Sequence, residues 1–181
     1  MHCWKAYNVH HKYHFFRRFF ISAMISILVF IVSYVTMQTF AAREFNDEFF
    51  LIFLCSFILL YPIHKLFHIL PIMSYYKHMR WEIERYFRII PVIDLKVEYP
   101  IPKAKFGLAL ILPFIALNAL LIAAIFFFPQ FGHYVTILLA YHNGISAFDL
   151  FYFKTLFFTP KNALVEENDD GYEILVEDDH L

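Results

Sequence analysis

Three long stretches of this chain are built almost wholly from Leu, Ile, Phe, Val and Ala, and a fourth is interrupted only by a few polar side chains. An α-helix rises about 1.5 Å per residue, so about 20 apolar residues cross about 30 Å of hydrocarbon. The blocks predict membrane spans at residues 19–40, 49–73, 106–128 and 133–158. The first carries no charge, and the third holds only Pro113 and Asn118 as departures. The second contains His64, Lys65 and His68, and the fourth contains His142, Asn143, Gly144, Asp149 and Lys154, which lower its hydropathy. Hydrophobic residues make up 60% of the chain and charged ones 17%. A soluble domain disperses such residues instead of gathering them into blocks. One membrane domain with the lipid bilayer as its solvent is expected. The first block is too long for a cleavable signal and lacks a small-residue cleavage site after it.

The basic residues orient these spans. Lys5, Lys12, Arg17 and Arg18 precede the first, and seven Lys and Arg from Lys77 to Lys105 separate the second from the third. The loop after span one has only Arg43, beside Glu44, Asp47 and Glu48, and the loop at 129–132 has no Lys or Arg. Positive charge stays on the cytoplasmic side, so both termini are expected in the cytoplasm of a multi-pass cell-membrane protein. Residues 1–18 read as a basic cytoplasmic head in which His2, His10, His11 and His14 join Lys12, Arg17 and Arg18 against anionic lipid. His10 and His14 also have the spacing of a surface metal pair. Within the connector 74–105, Tyr76, Met79, Ile83, Tyr86, Phe87 and Ile90 recur three and four apart, with Lys77, Arg80, Glu84 and Arg88 opposite. That pattern predicts an amphipathic helix over 74–90, lying on the inner membrane surface or extending span two. Residues 93–99 alternate as a strand does, until Pro100 and Pro102 end it. The acidic tail 159–181 centres on Asn168-Asp169-Asp170-Gly171, a hairpin signal, and adding 93–99 would give a three-stranded sheet. The fold class is thus an all-α membrane protein: a four-transmembrane-helix bundle with an interfacial amphipathic helix and a small cytoplasmic β element.

Ionisable groups at membrane depth are costly, so each needs a physical reason. His64 and His68 are four apart and share one helix face, with Cβ atoms about 6 Å from each other. Two imidazoles so placed can bind one metal ion, which needs a third ligand such as a carboxylate. Spans two and four both enter from outside. His64 lies about 22 Å in from Phe49, and Asp149 about 24 Å in from His133. His64, His68 and Asp149 are therefore candidate metal ligands at one depth, with His142 and Asn143 candidate cavity-lining residues.

At this point the chain resembles a known family. The motif Tyr61-Pro62-Ile63-His64-Lys65-Leu66-Phe67-His68, followed downstream by His142-Asn143-Gly144-Ile145-Ser146-Ala147-Phe148-Asp149-Leu150, is similar to the small bacterial membrane proteins called putative zincin peptidases. More distantly it is similar to site-2-protease-type intramembrane metalloproteases. The resemblance extends from about residue 49 to 176 and implies Zn2+ held by His64, His68 and Asp149. The family's motif glutamate, its general base, is replaced by Lys65. A carboxylate accepts a proton and balances a metal's charge, whereas an ammonium does neither.

Three readings follow. In one, the chain is a degenerate, catalytically impaired zincin, a pseudoprotease that binds zinc and engages segments of membrane protein substrates or clients. In another, it is an active intramembrane metallopeptidase with a different base, or with Lys65 neutral. In the third it is metal-free and structural, with Lys65 paired to Asp149; an interaction or small transport protein belongs to this last class, since His142, Asn143, Asp149 and Asn118 could line a polar path. The sequence carries no phosphate loop, nucleophile elbow, cysteine metal motif or nucleic-acid module.

Overall fold

Four long helices occupy most of the chain in a computed structural model, which describes residues 2–8, 15–41, 44–86, 90–97, 99–168 and 171–176. They are α1 (Phe15–Ala41), α2 (Phe50–Ile72), α3 (Lys103–Phe127) and α4 (Gly132–Phe157). Their bounds lie within a few residues of the predicted blocks, because unbroken apolar runs leave the backbone no partner but itself. The stretches Phe16–Phe40, Phe50–Lys77 and Lys103–Phe127 are long and apolar enough to cross a membrane. The side chains of α1 at Phe19, Met24, Ile27, Leu28 and Ile31 stand exposed, as lipid-facing residues do.

The fourth helix differs. It packs against α1 on one side and α3 on the other, while α2 packs chiefly on α3. Thr136, His142, Gly144 and Ser146 of α4 are buried. Thr136, His142 and Ser146 therefore face protein, while Lys154 near the helix end is exposed, which explains how a helix of lower hydropathy sits among three apolar ones. Gly144 marks the closest approach to α1: a β-carbon there would collide with Ser26 Oγ and come within 3.0 Å of the Ser22 carbonyl oxygen. Small residues at helix crossings let backbones approach in this way.

Among the described residues six strands accompany the helices, so the chain is mostly helical with the expected small β element, which is larger than a single hairpin. Strand β1 (His2–Asn8), β4 (Ile101–Pro102), β5 (Leu164–Asn168) and β6 (Gly171–Val176) form one antiparallel sheet in the order β1-β6-β5-β4. The tail hairpin is present as β5 and β6, with its turn residues 169–170 outside those described. Gly171 opens β6 at φ 150°, a conformation that residues with a β-carbon rarely adopt. The expected third strand is not 93–99. Its place is taken by β1 on one edge and the two-residue β4 on the other.

A second correction concerns the connector. Instead of an amphipathic helix over 74–90, a short 3-10 turn at Met73–His78 leads into β2 (Met79–Tyr86), antiparallel to β3 (Ile90–Val97). Met79, Trp81 and Ile83 alternate with Arg80, Glu82 and Glu84, so this segment also carries a period of two. Register pairs Trp81 with Leu95 and Ile83 with Ile93. That pairing gives the backbone a partner strand, which prevails over a helical pattern drawn from the same residues. Of the N-terminal head, residues 2–8 form β1; His10, His11 and His14 lie outside the described residues.

The four-stranded sheet gathers one end of the helix set. Val165 and Ile174, paired across β5 and β6, are almost wholly buried, in one cluster with Ile72 of α2, Phe106 of α3 and Leu156 of α4. Lys103 Nζ donates to the Thr159 carbonyl at 2.7 Å, and the Val97 amide donates to Glu167 at 2.9 Å. At the opposite end, the Asn46 amide donates to the Gln130 carbonyl (3.1 Å) and Tyr134 OH donates to the Asp47 carbonyl (3.2 Å). The chain thus leaves the sheet end along α1, returns along α2, leaves along α3 and returns along α4. Cys3 and Cys55 are exposed free thiols.

Because Gly144 meets backbone on α1, Gly144→Leu is expected to cost about 1–3 kcal/mol by overpacking. Thermal unfolding in detergent would show a lowered midpoint. Leu120→Ala, at a position that is 64% exposed, is expected to change stability by less than about 0.5 kcal/mol.

Candidate metal centre

On α2, His64 and His68 are successive members of one helical face, and α4 presents His142, Ser146 and Asp149 toward it. The spacing explains the match. Steps of four and three along α4 keep these three side chains on one side, as a step of four does along α2. Pro62, two positions before His64, removes a helical N–H donor within α2.

The convergence is close. His64 Nε2 lies 3.0 Å from His68 Nε2 and 3.1 Å from Asp149 Oδ2. The third side, His68 Nε2 to Asp149 Oδ2, measures 3.5 Å. His64, His68 and Asp149 form a group that could hold a metal ion. A tetrahedral zinc ion with bonds of about 2.0–2.1 Å separates its ligand atoms by about 3.3 Å. The three observed edges straddle that length, so the donor set fits zinc in both chemistry and spacing.

Burial is graded across the cluster. His64 is 1% exposed, whereas the His68 and Asp149 side chains are 14% and 19% exposed. The cluster is therefore closed behind His64 and opens on the side of His68 and Asp149. Lys65 is half-buried. Among the described residues Asp149 Oδ2 lies within 3.5 Å of Nε2 of both His64 and His68, and no ion pair joins Asp149 to Lys65. The metal-free reading in which Lys65 pairs with Asp149 is corrected on that point.

Behind the cluster lies a second row of polar groups. His142, fully buried, places Nε2 3.2 Å from His64 Nδ1 and Nδ1 3.0 Å from Asn118 Oδ1 on α3. Asn143 Nδ2 donates to Asn118 Oδ1 (3.0 Å) and to the Leu139 carbonyl (2.8 Å). Ser146 Oγ stands 3.3 Å from His142 Nε2. His142 thus touches His64, while Asn143 is one step further back. Reading the sequence missed the link from Asn118 through His142 to His64, and Ser146 altogether. The available signal was Asn118 itself, a lone amide in an otherwise apolar helix, which must find a partner across the bundle.

Long apolar helices that gather two imidazoles and a carboxylate at one point define a membrane protein with a candidate metal centre. Residues 57–164 match the family model described as "Putative zincin peptidase". The match spans more than half of the chain and includes His64, His68 and Asp149; the chain belongs to this family. No curated protein and no solved structure matches it.

Proposed function

We propose that this is a four-span protein of the cell membrane, with both termini cytoplasmic, in which His64, His68 and Asp149 hold zinc. We further propose that it is a catalytically impaired relative of site-2-type zincins that engages segments of other membrane proteins. The triangle of Nε2, Nε2 and Oδ2 atoms, with edges of 3.0, 3.1 and 3.5 Å, carries the zinc assignment. Support for the fourth span comes from connectivity. Strand β1 before α1 pairs with β6 after α4, and β4 before α3 pairs with β5. A chain whose ends and middle connector meet at one end of its helices makes an even number of passages. The sheet end is the end rich in Lys and Arg, which favours the cytoplasm. Residues 1–18 would then be a cytoplasmic head, 19–158 the membrane domain with its connector, and 159–181 a cytoplasmic tail.

A zinc ion held by this set supplies a Lewis acid for a peptide carbonyl. The chain's own residues supply little of the proton transfer that hydrolysis needs. Lys65 stands beside His64 where the related enzymes have glutamate, and an ammonium accepts no proton and repels a nearby cation. Asp149 lies at the ligand cluster, so its oxygen is engaged there rather than free to serve as a base. The partly exposed side, at His68 and Asp149, is where a client segment would approach.

Purified in detergent, washed with chelator and reloaded, the protein is expected to hold up to one zinc per chain by elemental analysis. His64→Ala and Asp149→Ala should each abolish this. Equal metal in the variants and the unaltered chain would overturn the assignment. Lys65→Glu removes the repelling charge and restores a base, so metal affinity and cleavage of a transmembrane model peptide should both rise. A Lys65→Glu protein that binds zinc no more tightly and cleaves no faster would show that Lys65 is not what limits the site.

A further inference from the structure

The row of hydrogen bonds behind the cluster has one end whose polarity cannot change. A main-chain carbonyl only accepts, and the Leu139 oxygen lies 2.8 Å from Asn143 Nδ2. The Asn143 amide must therefore turn its NH2 that way. A second hydrogen on the same nitrogen points to Asn118, 3.0 Å away, so the Asn118 atom there is the carbonyl oxygen. That oxygen also faces His142 Nδ1 at 3.0 Å, and since it can only accept, Nδ1 carries the hydrogen. His142 has no carboxylate among its hydrogen-bond partners, which are His64, Asn118 and Ser146. A neutral imidazole has one N–H, so His142 Nε2 is bare and accepts. The Ser146 hydroxyl, 3.3 Å from it, can donate there. The nearer neighbour, at 3.2 Å, is His64 Nδ1, which must donate. The hydrogen on Nδ1 leaves His64 Nε2 facing Asp149 Oδ2 at 3.1 Å and His68 Nε2 at 3.0 Å.

We infer that Asn143, Asn118 and His142 are positioning residues: a relay anchored on the Leu139 carbonyl that keeps a hydrogen on His64 Nδ1 and so leaves Nε2 as the ring nitrogen offered to His68, Asp149 and any ion they share. Amide orientation and imidazole tautomer are normally free to adjust. Here each step is forced by the one before it, across α4 and α3 and then on to α2. Groups behind a metal-binding histidine fix its tautomer and raise its basicity. The consequence for zinc rests on the function proposed above, but the tautomer itself does not.

The experiment uses the full chain, labelled with 15N-histidine in lipid nanodiscs and stripped of metal, with 15N NMR separating protonated from bare ring nitrogens. His64→Ala assigns the signals. His64 is expected to show a protonated Nδ1. Asn118→Leu, which removes the acceptor, should release that preference and lower cobalt(II) affinity by about 10–100-fold, whereas Asn118→Asp, which keeps an oxygen in place, should stay within about threefold. The cobalt absorption spectrum reads both affinity and tetrahedral geometry. A bare Nδ1 on His64 in the unaltered chain would overturn the relay, and that reading requires no variant to fold. So would an Asn118→Leu protein with unchanged tautomer and affinity. If the unaltered chain binds no cobalt while His64 keeps Nδ1–H and Asn118→Leu releases it, the relay stands and the zinc proposal falls.

Discussion

Three electronegative atoms held 3.0 to 3.5 Å apart inside a helix bundle repel one another unless something positive is shared among them. Water can relieve that repulsion only on the open side, at His68 and Asp149, because His64 is 1% exposed. A proton or a metal ion must take water's place. The rest of the molecule is arranged around this requirement. It draws α2 toward α4 at the cluster, although α2 otherwise rests on α3 and α4 lies between α1 and α3.

Holding such a cluster calls for stiffness on both sides. Behind it, polar side chains pass from α2 through α4 to α3, each hydrogen-bonded, so the low dielectric strengthens the network. Toward the sheet end, the strands weld the helix ends together, with Ile174 and Val165 buried against residues of three helices. A sheet made from the N-terminal segment, a connector strand and the tail cannot form until all four helices are in place. The site and the sheet therefore stabilise one another. Losing α1–α4 contact at Gly144 would loosen both.

In the function proposed above, Lys65 at the position of the zincin glutamate separates binding from turnover. Lys65 makes no ion pair with Asp149 among the described residues, so the proposed ligand set of His64, His68 and Asp149 is compatible with a lysine beside it. On that proposal, a binding site without its proton acceptor would recognise membrane segments without cutting them, and its more open flank is at His68 and Asp149.

Much of this was legible in the residues alone. Helix bounds followed from apolar blocks, because a backbone in hydrocarbon must satisfy its own hydrogen bonds and a long helix does so locally. The Asp-Gly hairpin signal rests on the conformational freedom of Gly171 and needs no distant partner. His64 and His68 share a face by helical geometry, and equal depth brings Asp149 level with them. Other features were decided only by tertiary structure. Residues 79–86 carry both a helical and an alternating pattern, and only the partner strand at 90–97 chose between them. The pairing of β1 with β6 joins the two ends of the chain, which no local pattern encodes. Which way Asn118 and His142 point, and hence which nitrogen of His64 keeps a hydrogen, depends on groups from three helices meeting. Local geometry is written along the chain; the polarity of a buried network is set by what packs against it.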